Sequence, residues 1–386
     1  MAVSLRARSR KGSLQIGLVA ATVVAGLAAV LPIVFAVVGG VSTTSGAKTA
    51  FASEPPGDYA VVSRTEGTQD VISVAPLANP AEATEVARID HLDGFAANGA
   101  VSPDGKLLAL VVPDAGNAAH PAGSLLVVAL ETGKQTRLLA GIDPQQTPVW
   151  SNDSSSVVVT TPTSTDGQQS GDAAVRFVRV PAAGGTPETI YQPGAVLGAY
   201  AVGFDPGGRF LAVIIDGRGS TLVRDGSELV NLSSQITRDW RLSPDGTQLA
   251  FIEADLAGGL RYVPRVVEID GATEPGAHSE AQAADAGQQA LGAAWRPGAS
   301  APTFGLDTAT GATAPGSAHA QAQVADSASS GFDVPLGYSA DGRGLVVNHW
   351  SGASFAAPGK VVLQVVDGDQ RTSLDAYGRF LGWAQR

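Results

Sequence analysis

The sequence predicts an all-β fold: a seven-bladed β-propeller preceded by an N-terminal transmembrane helix. Three observations lead to this prediction. A turn of the Ser-Pro-Asp-Gly type recurs between apolar, β-branched runs, and it recurs at the interval expected of a propeller blade. Near the N-terminus, a long stretch without charged residues follows a short basic segment.

The recurring phrase predicts a strand, a tight turn and a second strand. Its best copies are VSPDGKLLALVV from Val101 and RLSPDGTQLAFIE from Arg241. Proline sets φ at the second turn position, Ser and Asp side chains bond to the turn backbone, and Gly suits the exit. Looser copies begin at Val149, Gly203 and Gly337, and degenerate copies begin at Ala294 and Leu381.

The spacing of the copies predicts the number of blades. The residues before the turns are Ser102, Ser151, Asp205, Ser243, Arg296, Ser339 and Ala384, at steps of 49, 54, 38, 53, 43 and 45 residues. A repeat of roughly 40 to 50 residues with β-type alternation is typical of propeller blades. A second hairpin with Gly in its turn follows most copies. Two hairpins per repeat predict seven four-stranded blades, with strands A to D in chain order.

The two ends of the chain predict how the ring closes. Residues 59–63, 70–76 and 84–89 would supply strands B, C and D of one blade, and residues 380–385 its strand A. Pairing of the two ends leaves no open sheet edge. The weakest unit follows Trp295, because its outer strands must come from the Ala, Gly and Thr-rich stretch 307–330. If that unit fails, six blades is the alternative.

The N-terminal residues predict a membrane anchor. Residues 1–13 carry four basic residues and no acid, and residues 14–41 hold no charge and exceed the roughly 20 residues that span a bilayer. The basic flank predicts a cytoplasmic N-terminus. Residues 42–58 would be a linker, and residues 59–386 an extracytoplasmic propeller of a single-pass cell-membrane protein. The alternative is a signal peptide cleaved after Ala52.

Composition excludes several classes of function. The chain has no cysteine, so it holds no disulfide, thiolate metal site or cysteine nucleophile. Apart from the four N-terminal cations, it has 21 basic against 36 acidic residues, a net charge of −15. Such a surface repels nucleic acid and gives no reason to dock on anionic lipid. The 386 residues, with 47 Gly and 23 Pro, suit one large all-β domain with many tight turns.

The copies VSPDGKLLALVV, RLSPDGTQLAFIE and GYSADGRGLVVNHW resemble the SPDGKxIAF repeat of the TolB-like, WD-like β-propellers of bacteria. The resemblance covers most of residues 59–386. It implies a binding or structural role, since these propellers are mostly non-catalytic scaffolds or are attached to serine peptidases of the prolyl oligopeptidase kind. We expect no α/β-hydrolase domain after the propeller, so the resemblance carries over no catalytic residue.

Motifs for catalysis or metal binding are weak. The residues just before the turn markers are mostly aromatic, which favours packing between neighbouring blades over a ligand platform. The Asp-Gly turns lack the alternating oxygen ligands of a calcium loop, and the five histidines lack zinc-site spacing. No nucleophile elbow, phosphate-binding loop or dinucleotide fingerprint is present. We therefore expect no catalytic residue, no metal site and no cofactor.

Connection lengths predict the binding face. The A–B and C–D turns share one rim of a propeller and are short here, whereas the B–C and D–A connections share the other rim and include the long segments. Length variation concentrated on one face is typical of a binding face. We expect four residues of that rim to contact a partner near the channel mouth: Tyr200, Arg218, Arg238 and Asp239. The long segments are 114–123, 161–172, 255–260, 308–331 and 351–359 between B and C, and 272–290 between D and A.

The sequence thus predicts a membrane-anchored, extracytoplasmic propeller that acts as a non-catalytic protein-interaction or sensing module in the cell envelope. Its partner would be an envelope or extracellular protein. One alternative is a lyase or hydrolase at the channel mouth, which would need His, Arg and carboxylate side chains to converge there. Another is a stand-alone structural domain whose polar loops, 276–290 and 309–330, are disordered.

Overall fold

The computed structural model describes residues 51–117, 120–162, 175–194, 196–256, 260–269, 280–281, 289–307, 331–352 and 354–386. These ranges hold a short 3-10 helix, Phe51–Ser53, and 26 strands. Strands β1 to β26 are, in chain order, Asp58–Glu66, Gln69–Pro76, Thr84–Asp90, Asn98–Val101, Leu107–Asn117, His120–Ala129, Lys134–Ile142, Val149–Trp150, Ser156–Pro162, Val175–Pro181, Glu188–Tyr191, Gly198–Phe204, Phe210–Asp216, Gly219–Arg224, Ser227–Ser233, Thr237–Leu242, Gln248–Asp255, Arg261–Glu268, Glu280–Ala281, Ala290–Ala294, Thr303–Leu306, Phe332–Tyr338, Gly344–Trp350, Val361–Asp367, Gln370–Ser373 and Arg379–Gln385.

The strands form a β-propeller, which confirms the predicted all-β class. Blade 1 has the strand order β26-β1-β2-β3, and blades 2 to 5 are β4–β7, β8–β11, β12–β15 and β16–β19. Blade 6 is β22–β25, and β20 and β21 make a two-stranded sheet between blades 5 and 6. The first strands of successive sheets contact one another in a closed circle, from β4 round to β26 and back to β4. These first strands are therefore the inner strands that line the central channel.

Strand β26 closes the ring onto β1, as the sequence predicts. The register runs antiparallel from Asp58 opposite Gln385 to Ser63 opposite Arg379. Beyond the strands, the amides of Gly57 and Arg386 each donate to the other's carbonyl, at 2.9 and 3.1 Å. The two ends of the domain thus share one sheet, so β1 is paired on both sides and is not an open edge.

The two-stranded sheet occupies the place of the weak unit after Trp295. Its buried residues pack on both sides: Phe304 joins the cluster that contains Ile252 of blade 5, and Ala294 joins the cluster that contains Val347 of blade 6. The described residues therefore form six four-stranded blades and one inner hairpin. The predicted outer strands of a seventh blade fall in residues 308–330, which lie outside the described residues.

The recurring turns are held by their own side chains, as predicted. In each complete copy the Ser hydroxyl donates to the Asp carboxylate two residues on, and it accepts the amide that opens the next strand, as between Ser102 and Leu107 at 2.9 Å. The pairs are Ser102 with Asp104 (2.6 Å), Ser151 with Asp153 (2.7 Å), Ser243 with Asp245 (2.5 Å) and Ser339 with Asp341 (2.6 Å). Turn formation explains these Asp residues fully.

Three tryptophans before the turn markers join neighbouring blades, which confirms the packing interpretation. Trp150 and Trp295 are buried and Trp383 is half-buried, and each donates its indole N–H to a carbonyl of the preceding inner strand. The pairs are Trp150 with Ala100 (2.8 Å), Trp295 with Arg241 (2.9 Å) and Trp383 with Gly337 (3.1 Å). The remaining core lies between the blade faces, where Val, Leu and Phe side chains of adjacent sheets interlock.

One predicted loop is part of a hairpin. Residues 114–123 were expected to form a long connection, but β5 extends to Asn117 and β6 begins at His120, and these two residues pair with each other. The register shifts between Pro113 and Ala115, which is the position of a bulge. Backbone pairing therefore extends this connection beyond the body of blade 2.

In the part of the chain that the structure describes, no helix is long and apolar enough to cross a bilayer. The predicted anchor, 14–41, and the basic segment, 1–13, lie outside the described residues. The last part of the predicted linker packs against blade 1. Phe51 is buried with its ring edge-on to Tyr59 at 5.0 Å between centroids, and Glu54 accepts a hydrogen bond from Thr84 Oγ1 at 2.9 Å.

Candidate functional site

The two rims of the propeller differ in what they expose. We call the rim of the A–B and C–D turns the turn rim, and the rim of the B–C and D–A connections the loop rim. Among the described residues, every exposed large apolar side chain lies on the loop rim: Leu197, Ile236, Leu256, Leu260, Phe355 and Val361. Exposed apolar side chains gathered on one face are typical of an interaction surface.

Three of the four predicted contact residues lie on two neighbouring inner strands near the channel mouth. Tyr200 lies in β12, and Arg238 and Asp239 lie in the neighbouring inner strand, β16. Trp240 connects them, because its ring packs against that of Tyr200 at 4.9 Å between centroids. Arg238 donates to Asp239 at 2.9 Å and lies over the Tyr262 ring at 5.3 Å.

Arg218, the fourth predicted residue, lies on the same rim but away from the inner strands. It occupies the B–C turn of blade 4, where it pairs with Asp216 at 3.1 Å and with Glu228 of the outermost strand at 3.2 Å. Its side chain is 63% exposed. The structure therefore places it on the outer part of the loop rim.

Asp239 stands at a kink in its strand. Its φ is +55°, in the left-handed region, and the pairing of β16 with β17 shifts between Arg238 and Arg241. Asp tolerates this conformation better than most residues because its short side chain can bond locally. Such bulges re-aim the side chains of a strand. Pairing shifts also occur in four other inner strands, β12, β20, β22 and β26.

The mouth is partly shielded from water. Burial raises the pKa of Tyr200, and the nearby Asp143 carboxylate raises it further. Burial also raises the pKa of Asp143, whose carboxylate accepts the Gln145 amide at 2.9 Å. Charges therefore interact more strongly here than on the open surface.

Two cavities open on the loop rim in a sector that the sequence did not single out. The larger, of about 570 Å³, lies between blades 1 and 2, and the smaller, of about 220 Å³, lies at the channel mouth. They share two lining residues, Asn98 of β4 and Arg379 of β26. Ring closure brings these two residues together.

A buried carboxylate positions the floor of these cavities. Asp70 is fully buried and accepts hydrogen bonds from the Ala97 amide at 2.6 Å and from Thr65 Oγ1 at 2.7 Å. The Ala97 carbonyl in turn accepts from Arg379 Nη1 at 2.8 Å. Asn98 Nδ2 donates to the Pro144 carbonyl at 3.0 Å. The D–A loop before β4 is thus fixed by hydrogen bonds.

Sequence reasoning missed Trp240, Asn98 and Arg379, although the repeat itself carries a signal for Asn98 and Arg379. When the copies are aligned on their turn markers, the residues four or five positions earlier form one column, on or just before the inner strands. The column contains Asn98, Thr147, Tyr200, Arg238, Asp239 and Arg379. Comparing this column around the ring would have found the second sector.

Two histidines have described side chains, and each lies beside a carboxylate. His91 is buried at 3.7 Å from Asp70, and His349 bonds to Asp333 at 2.8 Å beside Arg371. Neither lines the two cavities. Within the described ranges, no group of three His, Cys, Asp or Glu side chains could hold a metal ion. Residues His278 and His319 lie outside those ranges.

Comparison with known proteins shows the fold alone. No protein-family model matches the chain, and no curated protein matches it either. Solved structures of TolB stand among the matches, as the repeat resemblance predicts: TolB from Acinetobacter baumannii is 14% identical with a TM-score of 0.48, covering 86% of this chain and 67% of that one.

Two peptidase propellers are also similar. Prolyl oligopeptidase B from Galerina marginata is 12% identical with a TM-score of 0.54, and the match covers 84% of this chain and 49% of that one. This chain therefore spans about half the length of that peptidase. The β-propeller domain of the Trilobed protease from Pyrococcus furiosus, described as having an open velcro topology, is 12% identical with a TM-score of 0.51, covering 83% of this chain and 99% of that domain. Here, by contrast, the two ends pair in one sheet.

Proposed function

We propose that the chain is a membrane-anchored, extracytoplasmic β-propeller of the cell envelope that docks a protein partner on its loop rim without catalysis. The observation that carries this proposal is the placement of all exposed large apolar side chains of the described residues on that rim. Interface cores combine apolar and aromatic side chains with a polar margin. Leu256, Leu260 and Ile236 would supply apolar area, and Tyr200 with Arg238 and Asp239 polar and aromatic contacts.

The packed N-terminal segment supports an uncleaved anchor. Cleavage after Ala52 would remove Phe51, which is only 4% exposed in the core cluster of blade 1. The segment also meets the ring on the turn rim, because Gly57 pairs with Arg386 at the A–B turn of blade 1. Residues 42–50 can span at most roughly 30 Å. An anchor at 14–41 would thus hold the turn rim toward the bilayer and leave the loop rim free for a partner.

We also propose that β20 and β21 begin a seventh blade, completed by residues 308–330. Support comes from the closed circle of inner strands, in which β20 takes the same place as the inner strand of each four-stranded blade. An experimental structure of the propeller with only two strands in this sheet would contradict the proposal.

Partner capture from solubilised envelope tests the docking function. The full chain, solubilised in detergent, would be compared with Ile236→Glu and Leu260→Glu on the loop rim. We expect each variant to recover a specific partner at least about tenfold less well, because a buried unpaired charge is costly at an interface. Ala78→Glu, an exposed change of the same charge on the turn rim, is the control. Equal recovery by all three variants would refute the proposed surface.

A further inference from the structure

We infer that the two loop-rim cavities form one site for an extended acidic peptide segment of the partner, with a side-chain carboxylate in the smaller cavity against Arg379. This inference rests on the proposed docking function of the loop rim and names the chemistry that the rim would select. The site lies between blades 1 and 2, whereas Tyr200 and Trp240 lie in blades 4 and 5.

The smaller cavity has the chemistry of a carboxylate site. Its polar side chains are Arg379, Asn98, Asn348 and Thr147, and none of the described residues that line it is acidic. Arg379 uses one N–H on the Ala97 carbonyl, and no ion pair joins it to a carboxylate of the described residues. A guanidinium has five N–H donors in a planar fork, so donors remain to bind a carboxylate. At about 220 Å³, the cavity admits a side chain but not a folded element.

The larger cavity suits the peptide segment of the partner that carries this carboxylate. Its walls include Phe95, Pro113, Pro121 and Pro144, which offer apolar surface to an extended segment. Asp93 also lines it, and this carboxylate disfavours a second acidic group there. Both cavities are lined by Arg379 and Asn98, so they adjoin at these two residues. A peptide that crosses the larger cavity can therefore place one acidic side chain in the smaller.

The site is held in place before any ligand binds. Asp70 fixes the Ala97 amide at 2.6 Å, and the Ala97 carbonyl fixes Arg379 at 2.8 Å. The Arg379 side chain therefore does not have to be ordered on binding, which reduces the entropic cost of association. The rest of the propeller is strongly acidic, but at physiological ionic strength its field is screened over about 8 Å, whereas direct contact with Arg379 is not.

Binding of defined peptides to the detergent-solubilised full chain tests the inference. The probes are fluorescently labelled and equal in length: a terminally blocked Ala-rich peptide with one central Glu, its counterpart with Gln in place of that Glu, and the Gln peptide with a free C-terminal carboxylate. Fluorescence anisotropy at physiological salt would compare the wild type with Arg379→Gln, Arg379→Lys and Asn348→Ala. Arg343→Gln is the matched control, since it removes an exposed arginine on the turn rim.

We expect the Glu peptide to bind at least about tenfold more tightly than the Gln peptide, as charge-assisted hydrogen bonds allow. Arg379→Gln should abolish this preference, Arg379→Lys and Asn348→Ala should reduce it, and Arg343→Gln should keep it. Equal binding of the Glu and Gln peptides, or a preference that survives Arg379→Gln, would overturn the inference. Binding of the free-carboxylate peptide alone would also overturn it, since the site is assigned to a side chain. Loss of partner capture in Leu260→Glu but not in Arg379→Gln would leave the docking function standing without this site.

Discussion

At the scale of single residues, the aromatic column shows how one side chain can serve two purposes. A tryptophan before the turn fills the space between blades with its ring and also satisfies a carbonyl of the preceding inner strand. For Trp295 that carbonyl belongs to Arg241, on the far side of the interface between blade 5 and the two-stranded sheet. The ring therefore contributes apolar burial, and the hydrogen bond links the two sheets.

Trp295→Phe isolates the hydrogen bond from the ring. The substitution keeps an aromatic ring and removes the indole N–H, so we expect the free energy of unfolding to fall by about 1 kcal/mol or more. Urea denaturation of the fragment that begins at Phe51 would measure the change. Trp240→Phe is the control, because its N–H bonds to Thr237 of the same strand at 2.9 Å and joins no two blades. An equal loss of stability in both variants would show that the bond between sheets has no special role.

At the scale of the element, the hydrogen bonds of the recurring turn stabilise the ionised form of its Asp side chain. Asp153 accepts hydrogen bonds from the Ser151 hydroxyl, the Ser155 amide and the Ser155 hydroxyl, and these lower its pKa from 3.8 to about 2. Hydrogen bonds also lower the pKa of the equivalent carboxyl groups of Asp245 and Asp341. A carboxyl whose pKa is lower in the folded state stabilises that state above pH 3.8 and loses this effect as the pH falls toward about 2.

Asp153→Asn should therefore make the stability of the protein depend less on pH in the acid range. Between pH 4 and pH 2, we expect the Tm of the wild type to fall more steeply than that of the variant, because only the wild type must protonate a hydrogen-bonded carboxylate. Ser151→Ala, which removes the largest contribution, should move the pKa of Asp153 back toward its usual value. Carboxyl titration by NMR would measure that pKa directly. Parallel Tm profiles of the wild type and Asp153→Asn would contradict this account.

The same element shows which parts of the fold the sequence could predict. Turn chemistry is local, so the Ser-Pro-Asp-Gly copies located the strand pairs, and strand periodicity identified the tryptophan column as packing. The site was harder to predict from the sequence, because Arg379 and Ala97 are 282 residues apart and meet only after ring closure. The extension of β5 and β6 through 114–123 was missed for a different reason. Its Ala, Gly and Asn residues carry weak strand preference, and pairing across the hairpin outweighs it.

At the scale of the whole molecule, the closure of the ring and the entry of the N-terminal segment occur at the same place. β26 pairs with β1, and residues 51–57 pack beside that pairing through Phe51, Glu54 and Gly57. The entry point lies on the turn rim, whereas the cavities and exposed apolar side chains lie on the loop rim. The proposed tether on one rim and the proposed binding surface on the other would give the propeller a defined direction relative to the bilayer.

This direction can be measured, because the chain has no cysteine and a single introduced thiol can be labelled selectively. We expect a fluorophore at Ala78→Cys, on the turn rim, to transfer energy to a bilayer-bound acceptor more efficiently than one at Leu260→Cys, on the loop rim. With the proposed anchor at 14–41, the nine residues 42–50 would keep the first site closer to the lipid. Membrane-impermeant maleimide should label both sites in intact cells, since both would lie outside the cytoplasm. Equal energy transfer from the two sites would contradict the orientation, and protection of both from the reagent would contradict the extracytoplasmic location.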